Sequence, residues 1–228
     1  MSYFANKTVV VLGATGILGQ LTAQDLRQRG ADVRLIVRSP NSLAAALRDL
    51  PVAVADITKR GEVAAALTAV SQGQSLDGII NCTGVVAFGN FSELSDEVAQ
   101  EVMAVNALGV INVISLATTS LNPEGFLASF TGVAADMTIA GMGAYCASKA
   151  AAKAAMGVAA RELRRQKIRV LDIRAPHTET GLITRALEGT APKMPEGLQP
   201  QAVIDRVLDA IAMGEKDLPA EAFAAQSN

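Results

Sequence analysis

The chain has 228 residues, half of them hydrophobic, which suits one large domain with a sizeable core and no need of covalent staples. Twenty Lys and Arg stand against 22 Asp and Glu, a formal net charge of -2, and no basic run is interleaved with aromatics, which argues against a nucleic-acid surface. Cys82 and Cys146 make neither a disulfide framework nor a metal-ligand spacing, so the expectation is reduced thiols, a cytoplasmic protein and no metal site.

Taken in order, the first strand-like run is TVVVLG from Thr8, and it leads straight into GATGILG, with Gly13, Gly16 and Gly19 at a turn and helix start. Glycines there permit a tight turn and close helix–strand packing. They also let backbone amides and the positive end of a helix dipole approach a pyrophosphate. The amphipathic QLTAQDLRQRG that follows marks the apolar run as a buried strand and turn, not a signal peptide. The second strand, DVRLIV from Asp32, ends at Arg38 and Ser39 with no acidic residue. An Asp or Glu at that place would grip ribose hydroxyls; an Arg and a hydroxyl suit a 2′-phosphate, so NADP(H) is expected over NAD(H).

Further strand-like runs are VAVAD from Val52, DGIINC from Asp77, GFLASF from Gly125 and IRVLDI from Ile168. Helical patterns lie between them, the longest from Ser95 to about Ser120, and RELRRQK (Arg161 to Lys167) reads as the solvated end of another. Strands apolar at nearly every position belong to a parallel sheet buried on both faces. The alternation therefore predicts a doubly wound, three-layered, Rossmann-type α/β domain spanning residues 1–228, with no apolar stretch long enough to cross a membrane. After Pro176 the period is lost over PHTETGLITRALEGTAPKMPEGLQP, and a substrate loop or lid is expected at about residues 176–198. Only then does QAVIDRVLDAIAMG read as a final helix.

The segment GMGAYCASKAAAKAAMG places Tyr145 and Lys149 on one face of a helix. A phenol with its ordinary pKa of ~10 exchanges protons poorly at neutral pH. A cation at ~4 Å, at an effective dielectric near 20, is worth about 4 kcal/mol, or roughly three pKa units before desolvation is subtracted. The spacing thus predicts a tyrosine brought toward the working range of a general acid/base.

At this point the chain resembles the short-chain dehydrogenase/reductase family over nearly its full length. YCASKAA is similar to that family's Y-x-A-S-K-A-A helix, and GATGILG to its glycine motif in the extended or atypical form. NCTG (Asn81 to Gly84) resembles its N-N-A-G segment with Cys82 and Thr83 substituting, and VNALG places Asn106 at its helix-kinking asparagine. ADIT places Asp56 at the acidic residue that contacts adenine, and RAPHTET resembles the P-G-x-x-x-T segment near the nicotinamide.

The resemblance implies Tyr145, Lys149 and Asn106 as catalytic residues. Tyr145 would protonate a carbonyl oxygen, Lys149 would bind the nicotinamide ribose, and Asn106 would support a proton relay. It implies NADP(H) contacts at Gly13, Thr15, Gly16, Ile17, Gly19, Arg38, Ser39, Asp56, Ile57, Asn81, Gly84, Pro176 and Thr180 as well as at the catalytic pair. It also implies a homodimer built through the helices of Asn106 and Tyr145, and a small carbonyl or alcohol substrate.

The sequence departs from the family at the carbonyl-orienting serine, whose place is Gly132. Thr131 is the preferred substitute, provided the loop to Tyr145 has gained a residue; Ser129 lies further down the strand, and water is the remaining possibility. His177 stands where the family has glycine, and the D-G-G near the C-terminus is missing, so the last strand should be short. A dinucleotide-binding regulator without turnover is the alternative function, and Gly132 is its best support.

Overall fold

The computed structural model describes residues 2–226. Seven strands form one parallel sheet in the order β3-β2-β1-β4-β5-β6-β7. They are β1 (Thr8–Leu12), β2 (Asp32–Val37), β3 (Val52–Val54), β4 (Leu76–Asn81), β5 (Leu121–Phe130), β6 (Arg169–Ile173) and β7 (Asp217–Leu218). The last, two residues long, is as short as the missing D-G-G implies. β5 begins four residues before the apolar run that marks it, and its pairing with β4 is irregular there, between Leu76 and Gly78.

The sheet's two faces follow from side-chain alternation. Val9 and Val11 of β1 turn to one face, where α1 (Ile17–Gln28) and α6 (Pro200–Met213) cover them through Ala23, Leu26, Val203 and Val207. Val10 and Leu12 turn to the other, packed with α2 (Arg60–Ser71), α4 (Gly109–Ser120) and α5 (Gly143–Glu162) through Val63, Val113 and Met156. This is the doubly wound, three-layered α/β arrangement that the sequence pattern predicts.

The long helical segment is broken in the middle. α3 (Asp96–Met103) passes through one π-helical stretch, Ala104–Leu108, into α4. Counted through, Asp96–Ser120 is 25 residues and contains an 18-residue window of mean hydropathy 1.7, long and apolar enough by length and composition to cross a membrane. That corrects the expectation that no stretch qualifies. The physical reason is packing: α4 lies against α2, α5 and the sheet, and a helix buried on such a face must be apolar.

The order of strands reverses between β1 and β4, so the C-terminal ends of β1, β4, β5 and β6 border a crevice, where ligands bind in open α/β sheets. Residues 176–198 fold back over it. Thr178 bridges Leu198, Leu187 N donates to Val86 O at 2.8 Å, and Phe88 N donates to Glu188 O at 2.9 Å. The Glu188 carboxylate then accepts from both Ser95 N (3.1 Å) and Ser95 Oγ (2.6 Å), which ties the segment to the start of α3.

Candidate active site

The crevice holds a cavity of about 500 Å³. Its dinucleotide end is built by the turn after β1. Gly13, Thr15, Gly16, Ile17 and Leu18 line it, and the helix cap Gly16 has no side chain to satisfy the first-turn amides of α1. Gly19 faces inward instead: a Cβ there would lie 2.3 Å from Gly13 O, so only glycine lets α1 start this close to the strand. Open amides at a positive dipole end, beside a turn with no Cβ to obstruct approach, fit a pyrophosphate.

Arg38, Asp56 and Ile57 line the same end. Arg38 is exposed and in no salt bridge among the described residues. Burial works against ionisation of Asp56, but the bonds from Thr58 N (2.9 Å) and Thr58 Oγ1 (2.8 Å), with Lys59 and Arg38 nearby, hold its carboxyl below the usual range. Ser39 is not at the cavity wall; its Oγ caps a short turn at Asn41 N.

At the other end Tyr145 and Lys149 both face the cavity, with Gly84, Pro176 and Thr180. Asn81 and Asn106 stand behind the wall. Asn81 Oδ1 accepts from Thr83 N and Oγ1 and its Nδ2 donates to Ser129 Oγ, which shapes the turn after β4 and occupies Ser129. Asn106, 1% exposed, clasps both atoms of Val85's peptide groups (3.0 and 2.9 Å) and donates to Ser148 Oγ at 3.0 Å. Ser148 Oγ donates in turn to Tyr145 O, so the π stretch and the active-site helix are locked together.

The electrostatics differ from the expectation for the pair. Lys149 is buried and its Nζ donates to Phe130 O at 2.9 Å, 5.7 Å from the centre of the Tyr145 ring. Burial pushes the phenol up to about 12 and the ammonium down to about 8, with Asp172 opposing the second shift. The lysine does not draw the tyrosine down, because its ammonium is anchored to a carbonyl and both groups are desolvated.

Thr131 is not brought to the cavity. Its hydroxyl, fully buried, donates to Asp172 Oδ1 at 2.5 Å, on the face that packs against α5. Phe130, the last residue of β5, packs in the opposite core and borders the cavity, Thr131 turns toward α5, and Gly132 lines the cavity. Gly132 has φ +79 and open space where a side chain would go. No hydroxyl therefore stands at the serine's place. His177 does line the cavity, with Nε2 3.3 Å from Glu179 Oε1, an atom that also accepts from Gly197 N.

Residues 7–190 match the family model described as short chain dehydrogenase. The chain belongs to the short-chain dehydrogenase/reductase family. An uncharacterized oxidoreductase of Methylorubrum extorquens is 30% identical to it over 219 residues, covering 90% of this chain and 86% of that one. A 2-(S)-hydroxypropyl-CoM dehydrogenase of Xanthobacter autotrophicus is 30% identical over 156 residues, 64% of this chain and 61% of that protein. A short chain dehydrogenase from Burkholderia cenocepacia, solved in complex with NADP, superposes with a TM-score of 0.83 at 26% identity, over 99% of this chain and 92% of that one. This short-chain dehydrogenase is thus an oxidoreductase of the carbonyl/alcohol type with a fold that binds a nicotinamide dinucleotide.

The loop after Pro176, rich in Leu, Ile, Met and Ala, already suggests a mostly apolar pocket; sequence reasoning missed the part of the wall that comes from outside that loop and the ion pairs behind it. Val86, Phe88, Ala134 and Met142 pack with Ile139, Leu182 and Ile183 around Tyr145. Behind β5 and β6, Asp172, Arg174, Asp217 and Asp136 form one charged cluster. Its signal was present: two opposite charges two residues apart in the apolar run RVLDIR must share a face, and buried charges pair.

Proposed function

We propose that the protein is an NADP(H)-dependent carbonyl reductase, or alcohol dehydrogenase in reverse, with Tyr145 as the general acid/base. The observation that carries the reading is that Tyr145 and Lys149, one helical turn apart, face the cavity whose far end is the open N-terminus of α1. When bound, the nicotinamide supplies the hydride. Tyr145 donates its phenolic proton to the carbonyl oxygen, and a phenol pushed up to about 12 carries that proton at neutral pH. Lys149, with one bond to Phe130 O, has donors left for ribose hydroxyls. Arg38, exposed at the cavity rim, suits the 2′-phosphate.

The wall of Val86, Phe88, Ile139, Met142 and Leu182 suits an apolar carbonyl compound, with residues 176–198 as its lid. Exposed Leu108, Ile111 and Val158 on the outer helices support a homodimer through that face, and two free cysteines suit a reducing compartment such as the cytoplasm.

The deciding experiment is NADPH oxidation by purified protein against a panel of ketones and quinones, with Tyr145→Phe as control. Turnover in the native protein and none in the variant, at unchanged NADPH affinity, is the expected result. Gly132 favours the second reading, a dinucleotide-binding regulator, because a donor worth about 10²–10³ in rate elsewhere has no counterpart here. NADPH binding with no turnover across the panel would establish it.

A further inference from the structure

A polar network whose members do not line the cavity lies between the sheet and α5. Thr131 Oγ1 donates to Asp172 Oδ1 at 2.5 Å, and Arg174 Nη1 donates to Asp172 Oδ2 at 2.6 Å. Arg174 is itself held by the Asp217 carboxylate (2.6 and 2.9 Å) and approaches Asp136 Oδ2 at 2.8 Å. Asp172, Arg174 and Thr131 are all buried, so each has given up water for these partners.

The network ends on one peptide group. Phe130 O and Thr131 N belong to the same plane: the oxygen accepts Lys149 Nζ at 2.9 Å, and the N–H donates to Ile173 O at 3.0 Å. Gly132 N donates to the same Ile173 O, and beyond it the chain turns at φ +79. Thr131's side chain is the remaining handle on that peptide, and Asp172 holds it. The carboxylate and the ammonium thus grip a single rigid unit from opposite ends.

We propose that Asp172, acting through Thr131, is a positioning residue for Lys149: it fixes the Phe130–Thr131 peptide that receives the ammonium and supplies the buried counter-charge behind it. The proposal rests on the reading of Lys149 given above. Charged and titratable groups lie on each element around Lys149: Tyr145, Cys146 and Lys153 on its own helix, Asp172 on β6 with Arg174 just past its end, Asp136 in the turn after β5, and Cys82, His177 and Glu179 lining the same cavity. Asp136 is taken up by Lys153 and Arg174, and Glu179 by His177 and Gly197 N. Asp172 is the carboxylate that acts on Lys149, opposing the fall that burial causes.

The test follows the ammonium directly in the cofactor-free protein. The Lys149 13Cε resonance, assigned by its loss in Lys149→Arg, is titrated in the native chain and in three variants, and the pH profile of kcat is recorded beside it. Asp172→Asn should lower the Lys149 midpoint by about one pH unit, the size usual for losing one nearby opposite charge, and move the alkaline limb of kcat with it. Thr131→Val, which keeps the charge and cuts the tether, should move both the same way by a smaller step.

Asp217→Asn removes an Arg174 partner at the exposed edge and should move neither. Where Asp172→Asn does not fold, Thr131→Val, which leaves both buried charges in place and paired, carries the test alone. A midpoint that falls without a change in the kcat profile upholds the coupling and refutes the catalytic role of Lys149. A midpoint unmoved by Asp172→Asn, or moved equally by Asp217→Asn, overturns the proposal.

Discussion

Replacing Lys149 by methionine should make the cofactor-free protein more stable at neutral pH while removing its activity. The unfolded lysine keeps its proton up to the ordinary 10.5, and the folded one, desolvated, releases it near 8. Between those values the unfolded chain binds more protons, so raising the pH stabilises the fold; below about 8 the full cost of a buried ammonium is present. A fall from 10.5 to about 8 corresponds to about 3 kcal/mol at 25 °C. Methionine fills similar volume without that charge, and losing the bond to Phe130 O offsets roughly 1–2 kcal/mol.

The net gain is about 2 kcal/mol, which for a domain of this size is about 4–8 °C in Tm. Thermal unfolding of both proteins without cofactor, from pH 7 to pH 10.5, is the assay. The gap should be widest at pH 7 and shrink to zero and then change sign by pH 10.5, where the native lysine is neutral and keeps its bond to Phe130 O. A variant no more stable than the native chain at pH 7, or a gap that does not change with pH, would refute the argument. Other ionisable groups titrate in both proteins alike, so the difference isolates Lys149.

Arg38→Ala should weaken NADPH binding at least tenfold, about 1.4 kcal/mol, and leave NADH binding unchanged, as read by cofactor fluorescence titration; equal losses for both would remove the 2′-phosphate contact. Gly19→Ala places a methyl 2.3 Å from Gly13 O, so it should cost about 1–3 kcal/mol of stability in urea unfolding and lower the affinity for either dinucleotide. Gly132→Ser should not raise kcat even though space is open, because φ +79 strains any side chain there by roughly 1–2 kcal/mol; a tenfold gain in turnover would show the backbone adapting.

The fold was legible because it is written in periodicities. Six short apolar runs became β1 to β6, and the switch of hydrophobic period marked α1 and α6 within a residue or two. Both motifs read as chemistry-bearing did converge, since GATGILG and the Tyr145 helix face one cavity although some 130 residues separate them. What escaped was whatever depends on which way one side chain turns. Ser39 at a strand end could reach a phosphate or cap the next turn, and the backbone at Asn41 took it. The pKa of Tyr145 could not be read from its spacing to Lys149, because the sign depends on burial and on where the ammonium is tied, and a carbonyl from another strand holds it.

Thr131 shows the same limit and its resolution. Three residues compete for the place of one hydroxyl, and the period of two in a strand assigns them without further information once the faces are known. Phe130 belongs to the core shared with α1 and α6, so Thr131 must face α5, where Asp172 and not a substrate waits. Of Ser129, Thr131 and Gly132, the last alone lines the cavity, and the turn that carries the chain away from the sheet gives it φ +79, a conformation for which glycine is the ordinary choice. The absent serine and the buried threonine are therefore one fact. The end of β5 turns its polar group toward the helix that carries Lys149, and no hydroxyl from β5 or the turn after it lines the cavity.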